Sequence, residues 1–365
     1  MKSRRHGAST AWLVAVVGLS AGVGFFAHRA TAAEINFAQR FAASDTAATP
    51  PPVYWPSAAT GGLAGQVLSN AYAAAQNPKD VGAIAFGAAA DAVRRYLTPV
   101  IGANAPDWAK RFEFEFNIQK DLKPTYSILT VQPLYQSRDK HDTLFFQASQ
   151  LRYQMLDDYR DTSNIGLGYR RLLFDNSLLV GVNTFFDREW TYGHERFSVG
   201  GEIKWNMLDF NTNIYRAVTG YKTVDASTST EERAMSGYDF ELRSQMPFLP
   251  WLNGGVRRYH WDSDISDNVN GWSYSAYADI TPNLSVEAGY TKDNANPGEG
   301  FVKLAFHLAR TDRPVMLSRD AVSDSMFERR DMRAYTLDKV RRENRIIVER
   351  RSNVGGAVVV IARGN

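Results

Sequence analysis

From Lys110 onward the chain alternates. Phe112, Phe114, Phe116 and Ile118 are separated by Glu113, Glu115 and Asn117, the two-residue period of a strand with one apolar and one polar face. The pattern recurs in about twelve segments before Ala309, each near the roughly 9–11 residues that a tilted strand needs to cross a bilayer. They are Arg111–Ile118, Tyr126–Tyr135, Thr143–Tyr153, Asn164–Leu173, Ser177–Asp187, Arg196–Met207, Phe210–Thr219, Tyr238–Met246, Leu252–Trp261, Trp272–Ile280, Leu284–Tyr290 and Val302–Leu308. An even number of such strands suits a closed membrane barrel.

The connections test this reading. A barrel of this class has short turns at one end and longer loops at the other. Phe174-Asp175-Asn176, Leu208-Asp209 and Thr281-Pro282-Asn283 are tight turns, and all fall at the end where the first strand begins. The long connections, Gly220 to Gly237, Asp262 to Gly271 and Lys292 to Gly300, fall at the other. A soluble β-sandwich also alternates, but nothing in it enforces this parity. Trp190, Trp205, Trp251, Trp261 and Trp272 lie near strand ends, where interfacial girdles place aromatics. A charged fraction of 22% and a mean hydropathy of −0.34 exclude a helical membrane protein and agree with strands whose second face looks into a wet lumen. The chain has no cysteine, which rules out thiol catalysis and Cys-ligated zinc, and a barrel that closes its own backbone hydrogen bonds needs no disulfide. The net charge of +3 points to no nucleic-acid partner.

Before the barrel, Lys2, Arg4, Arg5 and His6 precede the apolar run Ala11 to Phe26, and Ala30-Thr31-Ala32 places small residues at the −3 and −1 positions of a cleavage site. Residues 1–32 are therefore expected to be a secretory signal peptide cleaved after Ala32, with Thr31 and Ala33 as the alternative pair of small residues. Residues 33–109 carry a Pro-rich linker and an Ala/Gly-rich stretch with helical spacing (Leu63, Val67, Ala71, Ala74; Val81, Ile84, Ala88, Ala92), expected to be a partly helical periplasmic segment. Residues 110–309 are the all-β barrel, and 310–365 a basic tail.

Particular strings resemble a known family. Pro133-Leu134-Tyr135 with Leu144-Phe145-Phe146-Gln147, then Asn164-Ile165-Gly166-Leu167-Gly168-Tyr169-Arg170-Arg171, Gly181-Val182-Asn183-Thr184-Phe185-Phe186-Asp187, Arg196-Phe197-Ser198-Val199-Gly200-Gly201-Glu202, Gly237-Tyr238-Asp239-Phe240 and Glu287-Ala288-Gly289-Tyr290 resemble successive strands of the intimin/invasin inverse autotransporter β-domain. Arg333-Ala334-Tyr335-Thr336-Leu337 and Val340 to Glu349 resemble the stretch that follows that barrel. The resemblance implies a 12-stranded outer-membrane barrel of type V secretion, a periplasmic N-terminus, a linker with a short helix threading the lumen, and a C-terminal passenger at the cell surface. Here the sequence reaches Asn365 about 16 residues past Glu349, too short a stretch for an immunoglobulin-like domain of about 100 residues. The adhesive domain is therefore not expected within these 365 residues.

The tail is basic and the inward-facing strand positions are acidic. Glu113, Glu115, Glu202, Asp239 and Glu241 are the expected lumen partners of Arg333, Arg341, Arg342 and Arg345. Extended chain covers about 3.3 Å per residue, so the tail is long enough to cross the membrane through the pore. No catalytic, metal or cofactor site is expected. The acidic groups Asp187, Glu189, His194 and Glu195, Asp157, Asp158 and Asp161, and Asp262, Asp264 and Asp267 read as solvated loop charge. Gly220 to Gly237 is the exposed loop expected to make surface contacts. The reading that follows is a barrel that anchors its C-terminal segment and translocates it to the surface. The alternatives are a plugged porin-like channel gated by the tail, or an adhesion- or invasion-related protein. A surface hydrolase ranks last. The expected partners are outer-membrane lipid and, by class, the barrel assembly machinery and periplasmic chaperones. A separately encoded passenger or a host surface ligand is left open.

Overall fold

The structure, a computed structural model, describes residues 107–119, 124–155, 158–308, 311, 313–319, 321–352 and 356–360. The expected signal peptide with Ala30 and Ala32, and nearly all of the expected periplasmic segment, lie outside the described residues. A single helical turn, α1 (Asp107–Lys110), leads into β1 (Phe112–Gln119), β2 (Thr125–Gln136), β3 (Asp142–Met155), β4 (Asp158–Leu173), β5 (Leu178–Glu189), β6 (Glu195–Trp205) and β7 (Leu208–Ala217). A hairpin, β8 (Lys222–Asp225) and β9 (Thr230–Ala234), interrupts the series. It continues with β10 (Gly237–Met246), β11 (Leu249–Trp261), β12 (Val269–Thr281), β13 (Leu284–Asp293) and β14 (Glu299–His307). β1 to β7 and β10 to β14 form one closed antiparallel barrel of twelve strands. The seam joins β1 to β14, with Glu113 opposite His307 and Gln119 opposite Phe301. Each strand expected from the alternation is present, most of them longer by a few residues.

The short turns are built by residues in the left-handed region. Lys140 joins β2 to β3, Phe174, Asp175 and Asn176 join β4 to β5, Asn206 joins β6 to β7 and Phe248 joins β10 to β11, all at positive φ between 43° and 64°. Such turns match the right-handed twist of the paired strands. The β6–β7 turn therefore sits at Asn206-Met207, two residues before the expected Leu208-Asp209, because Asn206 takes the left-handed position and Leu208 already pairs with Trp205.

The wall is inverted relative to a soluble protein. Ile165, Val182 and Ile214 are 58%, 61% and 63% exposed, while their chain neighbours Asn164, Asn183 and Asn213 are 2%, 6% and 2% exposed. Only a barrel with lipid outside and a filled polar interior hides asparagine and displays isoleucine. Trp190, Trp205 and Trp272 are exposed, as a girdle requires, but Trp261 is buried and packs against Tyr215 inside the lumen, the rings tilted by 41°. The indole N–H of Trp251 donates to the Ala321 carbonyl at 2.7 Å. Trp261 is not a girdle residue: its place follows from the inward parity of β11, which proximity to a strand end cannot reveal.

A second sheet lies beyond the barrel, in the order β16–β15–β9–β8, with β15 (Val348–Ser352) and β16 (Gly356–Val360) supplied by the tail. The connection from Gly220 to Gly237 is thus a β-hairpin occupied by the chain's own tail, and Glu232, Ala234 and Met235 within it are fully buried. It is not the free surface loop expected from its composition.

Val182→Arg, in the middle of β5, should destabilise the barrel by about 2–4 kcal/mol. Urea unfolding in lipid vesicles, followed by tryptophan fluorescence, measures it.

Candidate functional site in the barrel lumen

The lumen is where the polar faces of twelve strands converge, and the tail fills it. The tail enters at the short-turn end. Asp331 caps a 3₁₀ turn, Met332–Tyr335, and the Met332 N–H donates to the Asn176 carbonyl at 2.9 Å. Met332 packs with Leu172 and Leu179, and Tyr335 closes over them. Arg330 pairs with Asp209 at 2.6 Å at the start of β7. This 3₁₀ turn is the only helical element described within 313–352; the stretch from Thr336 to Ile347 is irregular, with bends at Arg342 and Arg345.

An irregular chain in a pore leaves its backbone groups without a ladder, and each needs another partner. Wall side chains provide them. Arg170 donates through one nitrogen to the carbonyls of Thr336 and Asp338 at 2.9 and 2.7 Å. Gln147 accepts from the Val340 N–H at 2.7 Å. Asn213 donates to the Arg341 carbonyl at 3.0 Å, Arg196 to that of Glu343 at 2.6 Å and Asn164 to that of Asn344 at 2.8 Å. The Glu343 N–H donates to the Tyr215 hydroxyl at 2.7 Å.

Side-chain charges pair along the same path. Asp338 meets Lys204 at 2.6 Å and also Arg313. Lys339 bridges Glu113 and Glu115 across β1. Arg341 lies 2.8 Å from Glu241 and 2.9 Å from Glu287. Arg342 pairs with Asp187 at 2.6 Å and lies 4.3 Å from the Phe185 ring centroid. Gly166 makes room for that ring: a Cβ there would fall within 2.5 Å of it. At the long-loop end the tail turns apolar. Ile346, Ile347 and Val348 are buried with Tyr153, Met155, Tyr215, Met235, Tyr259 and Trp261. This cork excludes water from the end of the lumen through which the tail leaves.

Of the acidic positions singled out from the sequence, Glu113, Glu115 and Glu241 touch tail cations directly. Glu202 is held by Arg170, and Asp239 by Arg257, Tyr215 and Asn213, so both act on the tail through a neighbour. Of the arginines, Arg341 and Arg342 face wall carboxylates. Arg345 instead pairs with Glu343 of the tail at 2.9 Å, and Arg333 with Asp331 in an exposed pair. Lys339, one of the basic residues the tail offers, takes the place expected of the arginines, and sequence reasoning missed Asp338, Arg170, Lys204, Glu287 and the role of Asp187. Asp187, which the alternation sets on the same polar strand face as Asn183 and which also reads as loop charge, lies in β5 and is fully buried. Glu189, Asp158 and Asp161 are strand residues too. Among the described residues no group of three or more His, Cys, Asp or Glu is placed to hold a metal ion.

Comparison with known proteins fits this architecture. A family model described as inverse autotransporter, beta-domain, matches residues 64–344. The chain belongs to this inverse autotransporter β-domain family. It is 29% identical over 181 residues to a putative attaching and effacing protein homolog of Escherichia coli K12, covering 47% of this chain and 59% of that protein. It is 27% identical to the invasin of Yersinia enterocolitica over 172 residues, 47% of this chain and 20% of the invasin. It is 24% identical over 275 residues to the inverse autotransporter adhesin YeeJ of E. coli K12, 72% of this chain and 11% of that adhesin. The chain therefore spans from about a tenth to under two thirds of these relatives' lengths. A solved structure from a study of in-meso crystallization of membrane proteins shares the fold, with a TM-score of 0.53, 20% identity and coverage of 66% of this chain and 99% of its own. Family and fold place the inverse autotransporter barrel in the Gram-negative outer membrane, with short turns facing the periplasm and long loops outside.

Arg341→Ala would leave Glu241 and Glu287 each short of one buried cation, and should cost about 3–5 kcal/mol, the usual penalty for halving a buried pair. Chemical denaturation of the refolded barrel reads it. At the external sheet, burial alone would raise the Glu232 carboxyl, but the close approach of His194, the hydrogen bond from Arg160 and the charges of Arg160 and Arg350 outweigh it and hold it down at about 2. The stability this contributes is fully present above the ordinary carboxylate range near about 4.3 and is lost as pH falls through about 2. Protease sensitivity of the 220–237 hairpin should therefore rise across that window, and should not do so in Glu232→Gln.

Proposed function

We propose that this barrel anchors its own C-terminal segment in the outer membrane and conveys it to the cell surface, with the tail remaining in the lumen as the closing element. The observation that carries this is the continuous seating of residues 332–348: Met332 is fixed at the periplasmic turn and Val348 already pairs with an external hairpin. Whatever follows Glu349 is delivered outside. The wall supports the reading because its hydrogen bonds go to tail carbonyls and amides, which suits a segment passed through in extended form.

The test is an epitope tag after Asn365, probed on intact cells with and without external protease. Staining that protease removes is the expected result. Staining only after the outer membrane is breached would overturn the proposal.

A second reading, a plugged porin-like channel, is favoured by the way the lumen beside the tail narrows from a cavity of about 520 Å³ around residues 333–339 to one of about 90 Å³ lined by Glu115, Glu241, Lys303 and residues 339–345. On this reading, deleting 329–365 should turn a silent barrel into a conducting one in planar bilayers, with heat-modifiable gel mobility confirming that the barrel still folds. Unchanged conductance would remove the tail as the plug.

Signal-peptide cleavage after Ala32 belongs to the same proposal, as does assembly by periplasmic chaperones and the barrel assembly machinery. The apolar outer belt fits outer-membrane lipid. A role in adhesion or invasion would reside in a passenger beyond the barrel or in a separately encoded one.

A further inference from the structure

The hairpin β8–β9 presents one edge to the emerging tail, and the charges along that edge are matched position by position. Glu231 lies opposite Arg351, Glu232 opposite Arg350, Arg233 opposite Glu349 and Ala234 opposite Val348. Each opposed pair is also an ion pair: Arg351 to Glu231 at 2.8 Å, Arg350 to Glu232, and Arg233 to Glu349 at 2.7 Å. Glu349 is further held by the Tyr221 hydroxyl at 2.8 Å, the Ser263 hydroxyl at 2.7 Å and the Asp264 N–H at 3.0 Å. Glu232 is clamped from the barrel by Arg160 at 2.8 Å. Arg233 also pairs with Asp264, so the receiving edge is tied to β4 and to the β11–β12 loop by contacts that do not involve the tail.

The order of signs is what matters. Glu-Glu-Arg on the hairpin runs antiparallel to Glu-Arg-Arg on the tail. Sliding the tail by one residue sets Arg350 opposite Arg233 in one direction and Glu349 opposite Glu232 in the other. Sliding it by two sets Arg351 opposite Arg233 or Glu349 opposite Glu231. Each of these four slips puts like charges directly across a ladder, which is destabilising, and the one-residue slips also turn the tail's side chains to the opposite face. We propose that the β8–β9 hairpin is a charge-addressed strand receptor: it captures the passing chain at the segment Glu349-Arg350-Arg351 and so sets the register at which the tail halts. The occupant is an extended segment of this same chain with the sign order acid–base–base. This rests on the reading of the barrel as a conduit and names what stops the passage.

The absence of cysteine from the chain makes the test direct. The N–H of Met235 donates to the carbonyl of Ile347 at 2.8 Å, so Ala234 and Val348 form the adjacent non-hydrogen-bonded pair, whose Cα atoms lie about 4.5 Å apart, within disulfide range. Ala234→Cys with Val348→Cys in the full-length chain, oxidised on cells, should give a cross-link that reductant reverses and that shows as a gel shift. Glu231→Arg and Arg233→Glu are each expected to cut its yield about fivefold, and Arg351→Glu to restore it in the Glu231→Arg background. Heat-modifiable mobility confirms a folded barrel in every variant, since β9 lies outside the barrel wall. A cross-link that never forms, or one whose yield ignores both charge reversals, would overturn the receptor. The tag after Asn365 separates the two claims: surface staining with a charge-indifferent cross-link sinks only the receptor, whereas an internal tag sinks the conduit.

Discussion

In the hydrocarbon of a bilayer an unpaired backbone N–H or C=O finds no water, so a spanning sheet must close on itself. The β1–β14 seam meets that demand. Closure creates a lumen, and the two-residue period of each strand then sends every second side chain into it. Because the outer face must be apolar, nearly all of the wall's polar chemistry is forced inward. Arg170, Asp187, Glu202, Asp239, Glu241 and Arg257 are almost fully buried as a result. Groups of this kind are costly unless paired. The tail is the structure's answer to a problem that closure itself created.

Charge in the lumen works differently from charge at a surface. The Arg341–Glu241–Glu287 and Arg342–Asp187 contacts are withdrawn from water, so their attraction is offset by the cost of desolvation and their main effect is on specificity. A mispositioned tail would bury unpaired arginine against arginine. The apolar segment Ile346-Ile347-Val348 adds the opposite kind of contact, non-directional and tolerant of small shifts. Polar pairs along the lumen therefore choose the register, while the apolar cork keeps water from the exit. The charge ladder between β9 and β15 repeats the same logic outside the membrane, where salt and solvent make each pair weaker.

The barrel was legible because membrane strands are constrained twice, by a fixed crossing length and by a strict alternation. Strand edges were less so: the β6–β7 turn depends on Asn206 adopting a left-handed backbone, and several residues in that segment could have served. The site was legible in kind, a basic tail among inward acids. The pairings were not. Arg345 is a case in point: nothing local tells that Glu343, two residues away, will claim it rather than a wall carboxylate. Glu202 and Arg170 neutralise each other across the wall for the same reason. Strand pairing decides which charges are already spent before the tail arrives.

The sequence by itself determined the twelve strands, the inside and outside of each, the parity of turns and loops, and the family resemblance, because all of these are encoded within a few residues of chain. Tertiary structure alone decided that Asp187 meets Arg342 of the tail, that Trp261 packs inside the lumen, and that the 220–237 connection is a hairpin paired with the tail rather than a free loop. Those outcomes join residues more than a hundred positions apart, such as Glu232 and Arg350. No local period carries that information. It arises only when barrel closure fixes the distances between strands and leaves one path through the centre for the tail.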